Sequence, residues 1–372
     1  MRKKIFCRVA AALCLITTML SGCDAWSGEE YIWIEKMELP RLPESGQQVS
    51  ASNYFQLQNV LKDMVESGKT QQTISVANYP ANKLEGDVES AAETVRREHP
   101  IAAYAVEGVT WEMGTSAGEP VLVINIQYLH DKTDIRNIVT VQDNAAAEEV
   151  IAKALADCQT GIVLQIRDYA PMDFTQVVEN YAFHHPEIVM ELPQVTENVY
   201  PETGKTRVVE LKFGYQTSRE SLKTMQSQVA PVFSSAVLYV SGDGEIVEKY
   251  SQLYTFLMER YDYAIETSIT PAYSLLRHGV GDSRAFAMVY AAMCRQAGLE
   301  CIVVSGTKDG VSHYWNIVTI NGNHYHLDLL CCNEAGQFFC RTDAQMGGHV
   351  WDYSAYPACD GPVLPEEMTV CE

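Results

Sequence analysis

Apolar and polar positions recur with different periods along this chain, and the periods mark out its elements. Val9 to Leu20 is an apolar run, too short to span a bilayer. Residues 24–70 show no sustained period and hold Pro40 and Pro43 beside a Ser/Gly/Gln stretch. They read as a tether, in which Tyr31–Ile34 can form a short docking strand. Beyond residue 70 the chain reads as an internal repeat. Thr73–Tyr79 and Gly161–Tyr169 are apolar strands that end in Tyr. Each leads into a helix, Asp87–Arg97 and Asp173–Phe183, with Val88, Ala91, Ala92 and Val95 at helical spacing in the first. Both helices end in His-Pro, at His99-Pro100 and His185-Pro186. Val109-Thr110 then matches Val195-Thr196, Gly118 matches Gly204, and the strand Val121–Tyr128 matches Val208–Tyr215 one residue out of register. Asp143 caps an Ala-rich helix that runs to Asp157. Each copy reads strand-helix-strand-strand-helix, over 71–158 and 159–240. A His before a Pro that stops a helix suits the C-terminal dipole, so His99 and His185 read as structural.

The remainder, 241–372, changes character. A turn at Ser241–Gly244 precedes a helix to Arg260 with Ile246, Tyr250, Leu253, Tyr254 and Leu257 on one face. Pro271 starts a short helix. Asp282 or Ser283 can cap the next one, along which Phe286, Val289, Tyr290, Met293 and Ala297 recur, and Gly298 stops it. Cys301–Val304 reads as a central strand. Ser312–Ile320 and His324–Asp328 flank Asn321-Gly322, a strong hairpin turn. The hairpin brings His313, at the start of one strand, beside Asp328, at the end of the next. An Asp beside an imidazole fixes its tautomer and favours its charged form.

Composition narrows the setting. Arg2, Lys3, Lys4 and Arg8 precede the apolar run, and Leu20-Ser21-Gly22-Cys23 closes it. This resembles a signal peptide ending in the bacterial lipobox, which implies cleavage before Cys23, diacylation of its thiol, and export to the outer face of the cell membrane. The lipid bilayer is then a partner through Cys23. Without the leader, 23 Lys and Arg face 48 Asp and Glu, a charge of −25. No basic patch is present, so nucleic acid is excluded as a partner. Eight Cys follow Cys23; export permits disulfides, but their pairing cannot be read from sequence. There is no CxxC pair, and Cys331-Cys332 is a poor metal arrangement, so no metal and no cofactor is expected.

From Glu248 to Asp360 the sequence resembles the transglutaminase-like superfamily of papain-like folds. That family has a Cys opening a helix in a Gly-Val-Cys context, a His before a Trp-Asn strand, and an Asp closing the next hairpin. Here Gly279-Val280-Gly281 takes the first place, His313 with Trp315-Asn316 the second, and Tyr325–Asp328 the third. Phe338–Asp343, Met346 and Trp351–Cys359 resemble the tail of bacterial members. The resemblance implies an α+β fold with a catalytic His313–Asp328 pair and Gly281 at the nucleophile position. Glycine has no thiol, so the implied function is a degenerate domain that binds an extended peptide or cell-wall stem peptide without catalysis. The alternative is a peptidase or acyltransferase with a displaced nucleophile, Ser283 or Asp282, acting with His313 and Asp328. Ser283 stands about 200° around a helix from position 281. Cys294 reads as core, and Cys331 or Cys332 can reach the site. A third reading gives the function to the repeats.

Overall fold

In each copy the first strand pairs with the third rather than with the second, because the helix between the first two carries the chain over the sheet. A computed structural model describes residues 49–240, 242–265 and 268–364. The segment 1–23 and the lipobox lie outside the described residues. In the first copy β1 (Gln71–Ser75) pairs antiparallel with β3 (Glu119–Tyr128), which pairs with β2 (Val106–Ser116). In the second, β5 (Gly161–Asp168) pairs antiparallel with β7 (Arg207–Gly214), and β7 with β6 (Gln194–Tyr200).

The copies are longer than the sequence pattern implies, and they begin earlier. The helix α1 (Tyr54–Ser67) lies inside the segment expected to be a tether; Asn53 caps it, and Leu57, Val60, Leu61, Met64 and Val65 are buried. Its counterpart is the helix capped by Asp143, which opens the second copy instead of closing the first. A parallel pairing precedes each: Ser50 with Ser75, and Thr140 with Gln165 within the pairing of β4 (Val139–Asp143) with β5. Both partners are displaced by 90 residues (140 against 50, 165 against 75). The unit is therefore strand-helix-strand-helix-strand-strand, starting near 49 and near 139. His99 Nε2 lies 3.2 Å from Glu66 of α1, and His185 Nδ1 lies 3.2 Å from Glu187, both at helix ends.

The expected bounds of the second copy, 159–240, take in the helix Arg219–Tyr239. Its Leu222, Val229, Phe233 and Ala236 instead join the core of the C-terminal domain, so that domain begins near residue 219. There a sheet of order β12-β11-β10-β13 is formed by Cys301–Lys308 (β10), Val311–Ile320 (β11), Asn323–Leu327 (β12) and His349–Trp351 (β13). All its pairings are antiparallel. The helix Ser283–Gln296, here the site helix, is buried along its length from Ala285 to Cys294 and packs between this sheet and the preceding helices. Its sequence is apolar around nearly the whole circumference, as a central helix requires. Among the described residues no helix is long and apolar enough to cross a membrane.

β13 approaches β10 where Gly306 faces Trp351. A Cβ on Gly306 would collide with the Val350 carbonyl oxygen and stand 2.7 Å from Trp315 Cη2. Backbone and a packed indole cannot yield, so Gly306→Ala is expected to cost about 2–3 kcal/mol, as overpacking does. A fall in the urea midpoint measures it; an unchanged midpoint would contradict the close approach of β13.

Candidate active site

The chain enters the site along a short parallel ladder between Asp262–Tyr263 (β8) and Val280–Gly281 (β9). Asp262 N–H bonds Gly279 O at 2.8 Å and Ala264 N–H bonds Gly281 O at 3.0 Å. Gly281 is thus extended backbone before the site helix, not part of it. A side chain there would point at Ala285 Cβ (3.0 Å) and Leu275 Cδ1 (3.1 Å), into apolar packing. Asp282 is the cap: its Oδ1 accepts from Ala285 N–H at 2.9 Å. Because Asp282 does the capping, the Ser283 hydroxyl is released from it. Ser283 is the first helical residue, buried, and its Oγ accepts from Tyr314 N–H at 3.3 Å. That amide belongs to the residue next to His313. At Gly281, which the resemblance places at the nucleophile position, a side chain would face apolar packing, while the Ser283 hydroxyl faces the His strand.

His313 and Asp328 meet as the hairpin requires. His313 Nε2 lies 2.8 Å from Asp328 Oδ2, and both side chains are more than nine-tenths buried. The other carboxylate oxygen, Oδ1, accepts from Leu330 N–H (3.0 Å) and Cys331 N–H (3.2 Å), and so caps the helix Leu329–Ala335. Two further groups reach Oδ2. They are His349 Nε2 at 3.0 Å and the Cys331 thiol at 2.9 Å. Burial opposes the charge of Asp328, but hydrogen bonds from His313, His349 and Cys331 hold its carboxyl well below the usual range.

Cys331 does reach the site, though as a thiol and not a nucleophile. Burial first, then the adjacent carboxylate, pushes it up to about 11, despite the opposing effect of Lys308. Burial likewise raises Cys332 and places Cys294 deep in the core. The seven described cysteines are free thiols.

A second network lies beneath. Trp315 Nε1–H donates to His326 Nδ1 at 2.9 Å, His326 Nε2 bonds Asp343 Oδ1 at 2.8 Å, and Cys359 N–H donates to Asp343 Oδ2 at 3.1 Å. It ties the tail to the hairpin. An indole only donates, so Nδ1 accepts and Nε2 carries the proton. Burial lowers His326, in keeping with a neutral ring.

His349, Phe183 and Arg284 were not singled out by sequence reasoning. Phe183, from the end of the helix Phe174–His184 in the second copy, stacks on Tyr314 with centroids 6.0 Å apart. The Arg284 guanidinium lies 4.7 Å over the Phe183 ring, and its buried Nε has no partner among the described residues. Arg295 bonds Glu187 at 2.7 Å across the same junction. The second copy therefore forms one wall of the site.

Residues 236–329 match the family model of the transglutaminase-like superfamily. No curated protein matches the chain. Among solved structures, similar chains include a TGase, at 9% identity over 45% of this chain and 50% of that one, with a TM-score of 0.26. A Cytophaga hutchinsonii protein provisionally named a cysteine protease is similar at 13% identity over 37% of this chain and 61% of that one, TM-score 0.25. A Parabacteroides distasonis protein provisionally named a protease is similar at 10% identity over 69% of this chain and 39% of that one, TM-score 0.23. The chain thus spans no more than 61% of the length of any of these three. Residues 236–329, which include the His313–Asp328 hairpin, are therefore a transglutaminase-like superfamily domain within an α+β chain.

Proposed function

We propose that this domain is an acyl-transfer enzyme in which Ser283 takes the place of the family's cysteine. The observation that carries the reading is the Ser283 hydroxyl at the first turn of a buried helix, 3.3 Å from the amide that follows His313. His313 uses Nε2 on Asp328, which leaves Nδ1 as the nitrogen to serve Ser283. In the proposed reaction Ser283 Oγ attacks an amide carbonyl carbon while His313 accepts the hydroxyl proton. Asp328 stabilises the imidazolium. The amides of Ser283 and Arg284 precede the first intrahelical bond, donated by Phe286 to Asp282 O, and would be the donors to the developing oxyanion. The imidazolium returns its proton to the leaving amine, and water or a second amine releases the acyl group.

The proposed substrate is an extended peptide or wall stem peptide, met at the cell surface by a protein diacylated at Cys23 and held on the outer face of the membrane. The acidic body keeps such a protein soluble and repels anionic polymers. An alkyne-palmitate label carried by the wild type and absent from Cys23→Ala is the expected result for the anchor. Retention of label by the variant would refute it.

The catalytic reading predicts that a fluorophosphonate probe forms an adduct on the peptide containing Ser283, and that His313→Ala slows adduct formation by at least about 100-fold, the lower range for general-base catalysis. Absence of an adduct on folded protein would overturn it. It would favour the second reading, a non-catalytic peptide-binding domain, which the burial of His313 and Ser283 and the Phe183 wall support.

A further inference from the structure

We propose that His313, Asp328 and His349 form a binding site for a divalent transition-metal ion of the zinc class. Their ligand atoms lie within 4.8 Å of one another, and all three side chains are buried. Geometry carries the argument. His349 Nδ1 lies 3.2 Å from Gly347 O. A carbonyl oxygen only accepts, so Nδ1 donates to it, and Nε2 is the ring nitrogen turned to the carboxylate. Nε2 lies 3.0 Å from Asp328 Oδ2, and His313 Nε2 lies 2.8 Å from the same oxygen. Two ring nitrogens and one carboxylate oxygen thus converge in a buried site, where a divalent cation can replace the shared protons.

The surroundings fit a metal. A ring nitrogen bonded to a backbone carbonyl is the usual support of a histidine ligand, and a carboxylate ligand is itself hydrogen-bonded. Asp328 Oδ1 meets that condition through Leu330 N–H and Cys331 N–H. Tetrahedral zinc with bonds near 2.0–2.1 Å separates its ligand atoms by about 3.3 Å. The separations of 2.8 and 3.0 Å from Oδ2 need a shift of only a few tenths. Two imidazoles and one carboxylate leave a fourth position open. The Cys331 sulfur, 2.9 Å from Oδ2, is a neighbouring soft donor on the same side of the carboxylate.

The second buried group of His326, Asp343 and Cys359 does not qualify. There Trp315 supplies the donor to Nδ1, and Nε2–H has Asp343 as acceptor, so every ring atom is accounted for by hydrogen bonds. The ligands of the proposed site come from β11, the end of β12, and β13, which is why no local spacing in the sequence announces them.

One consequence rests on the serine reading above. A metal held by His313 Nε2 leaves Nδ1 protonated in the neutral ring, so the imidazole cannot take a proton from Ser283. The ion would then act as an inhibitor of the acyl-transfer site.

The test uses the full mature chain without a histidine tag, freed of metal by chelator. Zn²⁺ competed against a chromophoric chelator is expected to bind at one ion per chain. Co²⁺ is expected to give the visible absorption of a low-coordinate site, a readout that needs no variant. His349→Gln and His313→Gln should each weaken Zn²⁺ by more than about 100-fold, beyond what loss of a supporting group costs. Ser283→Ala should leave Zn²⁺ affinity unchanged, so that metal binding stands or falls separately from catalysis. The proposal is overturned by the absence of saturable Zn²⁺ and of a Co²⁺ spectrum, by undiminished affinity in folded His349→Gln, or by loss of binding in His326→Gln instead.

Discussion

Ser283→Cys is expected to produce a thiolate at neutral pH, whereas Gly281→Cys is not. A thiol at position 283 begins a helix, where free N–H groups and the helix dipole favour the anion, and it stands beside the amide of Tyr314, the residue after His313. Cysteines in such settings titrate at about 3.5–7.5. Burial raises Cys158, Cys294, Cys331, Cys332, Cys340 and Cys359 above the ordinary thiol value, and subtracting the wild-type signal removes the contribution of the remaining cysteines, Cys301 among them. Ultraviolet thiolate absorbance reads the charge directly, and iodoacetamide alkylation reads its reactivity. Ser283→Cys should alkylate at least about tenfold faster than Gly281→Cys, and His313→Ala in the same background should remove the advantage. Equal rates, or a faster Gly281→Cys, would return the nucleophile position to residue 281.

Asp328→Asn is expected to cost about 3–5 kcal/mol of stability, the range for removing one partner of a buried ion pair. Asparagine keeps an oxygen for the amides of Leu330 and Cys331, so the cap survives and the loss reports the charge. That loss falls on two imidazoles and a thiol at once. Urea unfolding of chelator-treated protein measures it. Asp328 has a depressed carboxyl in the folded state. Its contribution is therefore full above the unfolded value near 3.9 and disappears as the pH falls below it. Wild type and Asp328→Asn should differ at neutral pH and converge in acid. A difference that persists at low pH, or one below about 1 kcal/mol at neutral pH, would show that the carboxylate is not the hub of the site.

Much of the frame of the candidate site is legible in the sequence because it depends on local chemistry. An Asn-Gly turn leaves little freedom in the register of its hairpin, and that register carries His313 to Asp328. The helix start near 282 followed from a capping residue, and the core face from its apolar spacing. The placement of Ser283 relative to residue 281 is not legible in the sequence for a specific reason. Counting about 200° from residue 281 to Ser283 assumes that both lie on one helix. Gly281 is instead held in a parallel ladder with Tyr263, a contact with a strand eighteen positions earlier in the chain. The choice of Asp282 over Ser283 as the cap is also tertiary, since Tyr314 N–H competes for the hydroxyl.

The duplication shows the same division. Strand and helix types in the copies could be read from period, and His-Pro and Gly landmarks aligned them. Their phase could not be read, because Val49–Ala51 becomes strand-like only by pairing with Ser75. Likewise, the Arg219–Tyr239 helix is amphipathic whichever core receives it, and only packing assigns it to the C-terminal domain.

By itself, then, the sequence determined the α+β class, the capped helix, the hairpin, and the His313–Asp328 pair, all of which rest on period, turn chemistry or residues close in the chain. Tertiary structure alone decided that Ser283 faces the His strand, that Phe183 walls the site, and that His349 shares the carboxylate of Asp328. Those contacts join side chains from separate elements, and their energies arise from burial and hydrogen bonding that exist only after the elements have packed.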